Sequence, residues 1–343
     1  MISDIQVERR ECEPEPSPGV SVVVPVFNSE HTIPTLIAEV SAVLERKRVD
    51  FEILLVNDGS IDESWEVIKD SVRRHPRVRG INLSRNYGQH NATLCGIRAA
   101  TFDVSVTIDD DLQYPPAEIP KLLNKLDEGW DVVYGKASER SHTWTRNVLS
   151  WLTKGVISRT TGLGRVIEQS PFRAIRTSLR SAFAGYCGPD LLMDVLFGWG
   201  TTKFCSVSVT HQPRRQGKSN YSKRRLFNMG LLVLTGYSTA PLRFASWVGF
   251  GLTTFGIAVL CYVVVLALFF GSVPGFPFLA ALISIFSGAQ LFALGLFGEY
   301  LTRVFNRSLG RPTYVIKEEG GGSVTVHVDR RSAGSCRFTD DPD

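Results

Sequence analysis

Three consecutive carboxylates, Asp109, Asp110 and Asp111, follow a short apolar stretch and precede Leu112 and Gln113. Adjacent carboxylates repel one another unless a cation binds among them. Their hard oxygens suit Mg²⁺ or Mn²⁺, which bind one or two carboxylates together with substrate phosphates. A solvated acidic turn is the alternative that the motif alone leaves open. Because side chains alternate along a strand, we expect Asp109 and Asp111 on the metal side and Asp110 on the opposite face.

Two further turns carry polar groups in positions that suit a nucleotide. In Asn-Asp-Gly-Ser at residues 57–60, Asp58 can accept hydrogen bonds from a base or ribose, and Gly59 permits close approach of the backbone. Asn-Asp-Gly is equally an ordinary turn, so both interpretations stay open. Pro-Val-Phe-Asn at residues 25–28 is likewise either a turn or one wall of a nucleotide pocket.

A basic, Gly-containing loop at residues 214–219 offers Arg214, Arg215, Lys218 and Ser219 to a phosphate. General attraction to anionic lipid headgroups is the alternative, and the two roles are compatible. A Walker-type phosphate loop is excluded, because the sequence contains no G-x-x-x-x-G-K-S/T pattern.

Alternating strands and helices are predicted to position these groups. The strands are predicted at residues 20–26, 51–56, 78–83 and 104–108, and the helices at 32–46, 62–74 and 91–100. This alternation predicts a mostly parallel sheet with helices on both faces. Ligands bind such sheets at the carboxyl ends of the strands, where Asn28, Asp58 and Asp109 all fall. We therefore expect these three residues to converge.

The composition of the C-terminal part of the chain predicts a membrane segment. No Asp, Glu, Lys or Arg occurs between Phe244 and Gly298, and a membrane span needs about 20 apolar residues. Two spans are predicted, at residues 244–270 and 278–298, in preference to a buried hairpin of a soluble protein. Basic residues flank both spans while the loop between them is uncharged, which predicts cytoplasmic termini. Residues 226–242 are predicted to form an amphipathic interfacial helix.

Length, net charge and cysteine content limit the classes of protein and of site that this sequence can encode. The 343 residues suffice for a catalytic domain of about 200 residues and an accessory region, and the net charge of +4 does not indicate nucleic-acid binding. The 6 cysteines include no C-x-x-C pair, so reduced thiols are expected rather than a zinc site or a disulfide framework. Residues 1–18 read as a disordered leader. The tail is predicted to be flexible after Glu318, with a short strand at 323–328.

A series of motifs in order resembles the family-two glycosyltransferases, and among them the polyprenyl-phosphate group. That group includes dolichol-phosphate mannose synthases, undecaprenyl-phosphate glucosyltransferases and aminoarabinose-type transferases. The Asn-Tyr-Gly-Gln-His run is most similar to the last of these. The resemblance covers residues 20–317, and the order of the motifs makes it specific. The matching motifs are VVVPVFN (22–28), LLVNDGS (54–60), SRNYGQH (84–90), TIDDDLQ (107–113), R-x-x-G-x-S (214–219), TAPLR (239–243) and GEY (298–300).

The resemblance implies a nucleotide-sugar-binding, Rossmann-like α/β domain of the GT-A type at residues 19–225, then the interfacial helix, two transmembrane helices within 243–302 and a cytoplasmic tail at 303–343. It implies Mg²⁺ or Mn²⁺ and inverting transfer of a sugar from a nucleotide-sugar to an undecaprenyl-like polyprenyl phosphate. The reaction would take place at the cytoplasmic face of the plasma (inner) membrane and supply a lipid-linked sugar for cell-envelope or glycan modification. By this resemblance Asp58 matches a nucleotide-contacting acid, Asp109 and Asp111 match the two acids of the D-x-D motif, and Arg214 and Ser219 match the phosphate-side loop. Together with the residue patterns above, the predicted site residues are Asp109, Asp111 and Arg214 (catalytic, the two acids also holding metal), Pro25, Phe27, Asn28, Asp58, Gly59, Asp110 and Gln113 (donor), and Arg214, Arg215, Lys218 and Ser219 (acceptor phosphate).

Alternatives from other classes are less well supported. A membrane scaffold that keeps the fold without turnover would not need the intact acids at 58, 109 and 111. A processive polysaccharide synthase normally carries Q-x-x-R-W, which is absent.

A lipid phosphate is anionic near neutral pH, so it needs no strong general base, and Asp194 ranks low in that role. Arg173 only loosely matches an arginine of the family. Small residues in the spans permit close helix packing and hence a homo-oligomer.

Overall fold

The computed structural model describes residues 17–137, 170–186, 192–212, 240–270, 275–309 and 311–320. The chain divides into two compact units, one formed by residues 1–143, 161–219 and 312–343 and the other by 144–160 and 220–311. Three predicted features lie outside the described residues: the basic loop at 214–219, most of the interfacial helix and the strand at 323–328. The first strand, Ser17–Val26, begins inside the predicted leader.

The first unit is built on one mixed sheet. Its described strands are β1 (Ser17–Val26), β2 (Phe51–Asn57), β3 (Val78–Leu83), β4 (Phe102–Thr107), β5 (Val132–Ala137), β6 (Arg173–Arg176), β7 (Phe204–Val209) and β8 (Ile316–Gly320). They lie in the order β7-β5-β6-β4-β1-β2-β3-β8. Strands β1 to β4 run parallel, as predicted, while β6 and β8 run antiparallel to their neighbours. Strands β5 and β7 are parallel to each other.

Helices cover both faces of this sheet, which confirms the predicted α/β architecture. Central strands such as β2 are buried along their whole length, and this explains their continuous apolar sequence. Leu36, Ile68 and Leu122 belong to the core on one face, whereas Leu94 and Leu196 belong to the core on the other. The helices of this unit are α1 (Ile33–Lys47), α2 (Ser64–Arg74), α3 (Gln89–Ala99), α4 (Ile119–Asp127) and α5 (Met193–Gly200).

Strand β8 was not predicted, and it brings the chain back to the sheet after the C-terminal helices. It pairs antiparallel with β3, and the Ser84 N–H donates to the Val315 carbonyl over 2.9 Å just before it. Tyr314 packs beside α3, where the Arg98 guanidinium lies 5.9 Å from the centre of its ring. Part of the predicted cytoplasmic tail therefore belongs to the sheet.

The second unit contains two long helices, α6 (Ala240–Phe270) and α7 (Phe276–Ser308). They contact each other closely at Gly256, where a Cβ atom would lie 2.9 Å from the ring of Phe286. Among the described residues, one segment is long and apolar enough to cross a membrane, Phe244–Val265, with a mean hydropathy of 2.2 and no burial by the rest of the chain. The second predicted span, 278–298, lies within α7 and stays a prediction.

Candidate functional site

The carboxyl ends of β1, β2 and β4 meet, as the predicted parallel sheet requires. The Asp58 N–H donates to the Val26 carbonyl over 2.9 Å, which ties β2 to β1. The Phe27 N–H donates to Asp110 Oδ2 over 3.0 Å, which ties β1 to the turn after β4. Side chains far apart in the sequence therefore share one edge of the sheet.

The end of β1 is a turn that presents an aromatic ring. Asn28 has a φ of 55°, and its Oδ1 accepts from the Ile61 N–H over 2.9 Å. Its own N–H donates to Ser60 Oγ over 3.0 Å. Phe27 is 46% exposed, while Pro25 lies inside β1 opposite Val56. This geometry suits one wall of a ligand pocket, with Phe27 rather than Pro25 as the accessible side chain.

Asp58 is buried and holds the turn that precedes α3. Its Oδ1 accepts from the Tyr87 N–H over 2.7 Å, and its Oδ2 accepts from the Gly88 N–H over 2.9 Å. Burial raises the pKa of Asp58, and these two N–H groups oppose that rise. Gly59, with a φ of 67°, has no room for a Cβ, which would lie 2.5 Å from the backbone of Arg85. The close approach expected at this glycine is therefore made by the protein's own chain.

The three adjacent acids have different partners. Asp109 Oδ1 accepts from Gln89 Nε2 over 2.5 Å, Asp110 accepts from the Phe27 N–H, and Asp111 Oδ1 accepts from the Gln113 N–H over 3.1 Å. Strand alternation does not explain why the three acids have different partners, because β4 ends at Thr107, before the first of them. The acids lie instead in a turn that includes the left-handed residue Leu112, at a φ of 57°.

The electrostatics of this turn fit a divalent cation. Burial, followed by the charges of Asp111 and Asp110, raises the pKa of Asp109 to about 7. A cation bound to the acids would relieve this repulsion, and their oxygens are the ligand type that Mg²⁺ and Mn²⁺ prefer. Within the described residues, no group of three or more His, Cys, Asp or Glu side chains is arranged to hold an ion. Two carboxylates here would have to share the ion with oxygens of a substrate or water.

A buried ion pair lies next to the acidic turn. Arg173 Nη1 and Asp194 Oδ1 are 2.5 Å apart, and the Tyr134 hydroxyl donates to the same Oδ1 over 2.8 Å. Arg173 Nε also donates to Thr107 Oγ1, at the end of β4, over 3.3 Å. The positive charge of Arg173 lowers the pKa of Asp109, against the larger effect of burial. Asp194 is thus paired in the interior, which agrees with its low rank as a base.

Two residues of the SRNYGQH motif were not singled out as site residues. Gln89 contacts Asp109, and His90 follows it in the first turn of α3. Burial, together with the nearby charge of Arg173, lowers the pKa of His90, so its imidazole is neutral near pH 7. Two polar residues at a helix start directly after a glycine were the available signal in the sequence.

A further aromatic group borders the acidic turn. The ring of Tyr114 stacks on Phe172 with centroids 5.2 Å apart and meets His211 edge-on at 4.9 Å. The Gln212 N–H donates to the Gln113 carbonyl over 2.8 Å. The predicted donor residue Gln113 is therefore tied to the segment that leads toward the basic loop. Arg214, Arg215, Lys218 and Ser219 themselves lie outside the described residues.

Comparison with known proteins gives a consistent result. The family described as Glycosyl transferase family 2 matches residues 21–184. A relative from Enterobacter sp. (strain 638), an undecaprenyl-phosphate 4-deoxy-4-formamido-L-arabinose transferase, is 37% identical over 91% of this chain and 97% of its own. Relatives with the same name from Photorhabdus laumondii and Pseudomonas aeruginosa (strain LESB58) are 34% and 36% identical. These matches cover 89% of this chain and 95% and 91% of theirs.

Among solved structures, a glucosyl-3-phosphoglycerate synthase from Mycobacterium tuberculosis is similar at 20% identity, with a TM-score of 0.47 over 64% of this chain and 78% of that one. A similarity this low says nothing about the site.

Proposed function

Since the chain belongs to glycosyl transferase family 2, we propose that it transfers a sugar from a nucleotide-sugar to undecaprenyl phosphate, with 4-deoxy-4-formamido-L-arabinose as the leading candidate sugar. The acceptor and the sugar come from the names of relatives that match nearly the whole chain. The observation that carries the proposal is the meeting of Asp109, Asp58 and Arg173 at the carboxyl edge of the sheet. That edge is where such folds bind nucleotides.

The donor is proposed to lie across this edge. Phe27 and Asn28 form the wall beside the nucleotide, and Asp58 fixes the opposite turn. Asp109 and Asp111 are the residues that would hold Mg²⁺ or Mn²⁺ with the donor diphosphate. A bound divalent cation supplies positive charge to the departing diphosphate.

The acceptor is proposed to react without a general base. A phosphate monoester has a second pKa of about 6, so it is largely dianionic at neutral pH. The protein must align its oxygen with the anomeric carbon, on the face opposite the diphosphate, which inverts the configuration. Arg214 and Lys218 are proposed to hold this phosphate. The pairing of Asp194 with Arg173 supports this base-free route, because the Asp194 carboxylate is buried and engaged in an ion pair.

The membrane placement is also a proposal. Helices α6 and α7 are proposed to span the bilayer as a hairpin, with the catalytic unit and both termini on the cytoplasmic side. The apolar, unburied surface of Phe244–Val265 supports the first span. A lipid phosphate at the headgroup level would then be accessible to the basic loop that precedes α6 in the sequence.

A transfer assay tests this function directly. The full chain in neutral detergent would be given undecaprenyl phosphate and, in turn, UDP-, GDP- and dTDP-sugars, including UDP-4-deoxy-4-formamido-L-arabinose. Mass spectrometry should detect a sugar-phosphate-undecaprenol from one donor, and Asp109→Asn should abolish it. Absence of lipid-linked product from every donor with a folded chain would favour the non-catalytic scaffold instead.

A further inference from the structure

The turn Tyr87-Gly88-Gln89, here called the site turn, connects two carboxylates that belong to different strands. At one end, Asp58 accepts from the N–H groups of Tyr87 and Gly88 over 2.7 and 2.9 Å. At the other end, Gln89 Nε2 donates to Asp109 Oδ1 over 2.5 Å. A single short segment is therefore held by the end of β2 and in turn holds the first acid after β4.

Several contacts define the position of the site turn. Asn91 Nδ2 donates to the Tyr87 carbonyl over 2.7 Å, and Thr93 Oγ1 donates to the Gln89 carbonyl over 2.8 Å. Gly88 has a φ of 92° and a ψ of 150°, a backbone conformation that residues other than glycine avoid. The backbone immediately before the turn lies against Gly59. The turn therefore has one defined conformation, from which Gln89 extends toward Asp109.

We propose that the site turn is a positioning element for the metal-binding acid: Gln89 orients Asp109, and Asp58 acts on the metal site through the turn. The inference rests on the proposed function, since it assumes that Asp109 holds the cation. Its chemistry is that of outer-shell partners of metal ligands, whose hydrogen bonds fix the ligand's orientation and whose loss typically lowers metal affinity about 10-fold to 100-fold. Gln89 is a positioning residue here, because it acts through Asp109.

Two glycines allow the turn to be perturbed with a matched control. A Cβ added at Gly88 or at Gly129 would meet no atom within 4 Å, and both residues have positive φ, 92° and 99°. Alanine at either position therefore introduces backbone strain without a steric clash. Gly129 follows α4 and precedes β5, at the opposite edge of the sheet, so Gly129→Ala controls for the strain itself.

The test measures Mn²⁺ binding to the full chain in detergent by electron paramagnetic resonance, with Mn²⁺ alone and with Mn²⁺ plus UDP. Gly88→Ala and Gln89→Met, which keeps the side-chain length but removes the donor, should each weaken Mn²⁺ binding about 10-fold or more. Gly129→Ala should leave it within about 2-fold of the wild type. Wild-type Mn²⁺ affinity in both Gly88→Ala and Gln89→Met would overturn the proposal.

A double-mutant cycle tests the route from Asp58. If Asp58 acts through the turn, Asp58→Asn combined with Gln89→Met should bind Mn²⁺ about as weakly as the weaker single variant. If the loss of Mn²⁺ affinity in the double variant instead equals the product of the two single losses, Asp58 acts independently of Gln89, and the proposed route is wrong. If Asp58→Asn does not fold, Asp58→Glu, which keeps the charge but displaces the carboxylate oxygens, replaces it in the cycle.

Failure of this inference is distinguishable from failure of the proposed function. A wild-type chain that binds Mn²⁺ and forms product, beside Gly88→Ala and Gln89→Met that both keep unchanged Mn²⁺ affinity, would refute only the role of the turn. A wild-type chain that binds no Mn²⁺ would refute the metal assignment and this inference together. Lipid-linked product in the transfer assay decides the function independently of either result.

Discussion

We expect Asp194→Asn to lower the free energy of unfolding of the catalytic unit, because it leaves the Arg173 guanidinium buried without its anion. Arg173 and Asp194 are only 3% and 5% exposed, and their side chains approach to 2.5 Å. Removal of one partner of such a buried pair typically costs about 3–5 kcal/mol of folding free energy. We therefore expect a large loss of folding stability from the exchange of one carboxylate oxygen for an amide nitrogen.

Neighbouring residues provide the internal scale for this prediction. Tyr134→Phe removes only the 2.8 Å hydrogen bond to Asp194 and should cost about 0.5–1.5 kcal/mol. The double variant Arg173→Met, Asp194→Leu removes both charges and should recover most of the stability, since apolar replacements of a whole buried pair are often neutral. It should still transfer sugar poorly, because the positive charge near Asp109 is lost.

Chemical denaturation of the full chain in detergent, followed by tryptophan fluorescence, measures these differences, and the transfer assay runs in parallel. The reasoning would be refuted if Asp194→Asn unfolded at the wild-type denaturant concentration yet lost activity. That combination would assign Asp194 to the chemistry, as a base, rather than to the architecture.

Four further predictions extend to other parts of the molecule. Asp111→Asn should lower kcat/KM by the equivalent of about 2 kcal/mol or more, and EDTA should abolish transfer until Mg²⁺ or Mn²⁺ is restored; full activity in chelator would exclude the metal role. Gly59→Ala should destabilise the chain, measured by denaturation, because its Cβ would lie 2.5 Å from Arg85, and unchanged stability would contradict this packing. Arg214→Lys should raise the KM for undecaprenyl phosphate, since Lys cannot make two parallel hydrogen bonds to phosphate, while calorimetry with UDP and Mn²⁺ should show unchanged nucleotide affinity. A topology reporter at Gly275 should face away from the cytoplasm and reporters at both termini toward it; ends on opposite sides would exclude a two-span hairpin.

The parallel part of the sheet and the meeting of its carboxyl ends could be predicted from sequence. Strands β1 to β4 are apolar runs separated by helical patterns, and parallel pairing places their ends at one edge. At that edge the Phe27 N–H meets Asp110, in the turn after β4. Local pattern was sufficient for the first three strands, because β1, β2 and β3 are neighbours in the sheet in chain order, whereas β4 pairs with β1 on the other side.

Other features depend on geometry that no local pattern encodes. Gln89, which contacts Asp109, directly follows Gly88 at a positive φ, and the sequence alone does not specify which conformation a glycine adopts. The pairing of Arg173 with Asp194 joins β6 to α5 in three dimensions. Strand β8 is exposed along most of its length, so Lys-Glu-Glu carries no apolar alternation that would reveal a strand.

The position of β8 makes the order of synthesis matter for this protein. The strand is translated after α7, so during synthesis β3 stays at an open edge of the sheet until both long helices have been made. An open strand edge has unpaired N–H and C=O groups and tends to pair with other chains. A fragment that ends before α6 would keep this edge exposed permanently and should aggregate or pair with itself. Completion of the catalytic unit is thus tied to prior synthesis of the apolar helices.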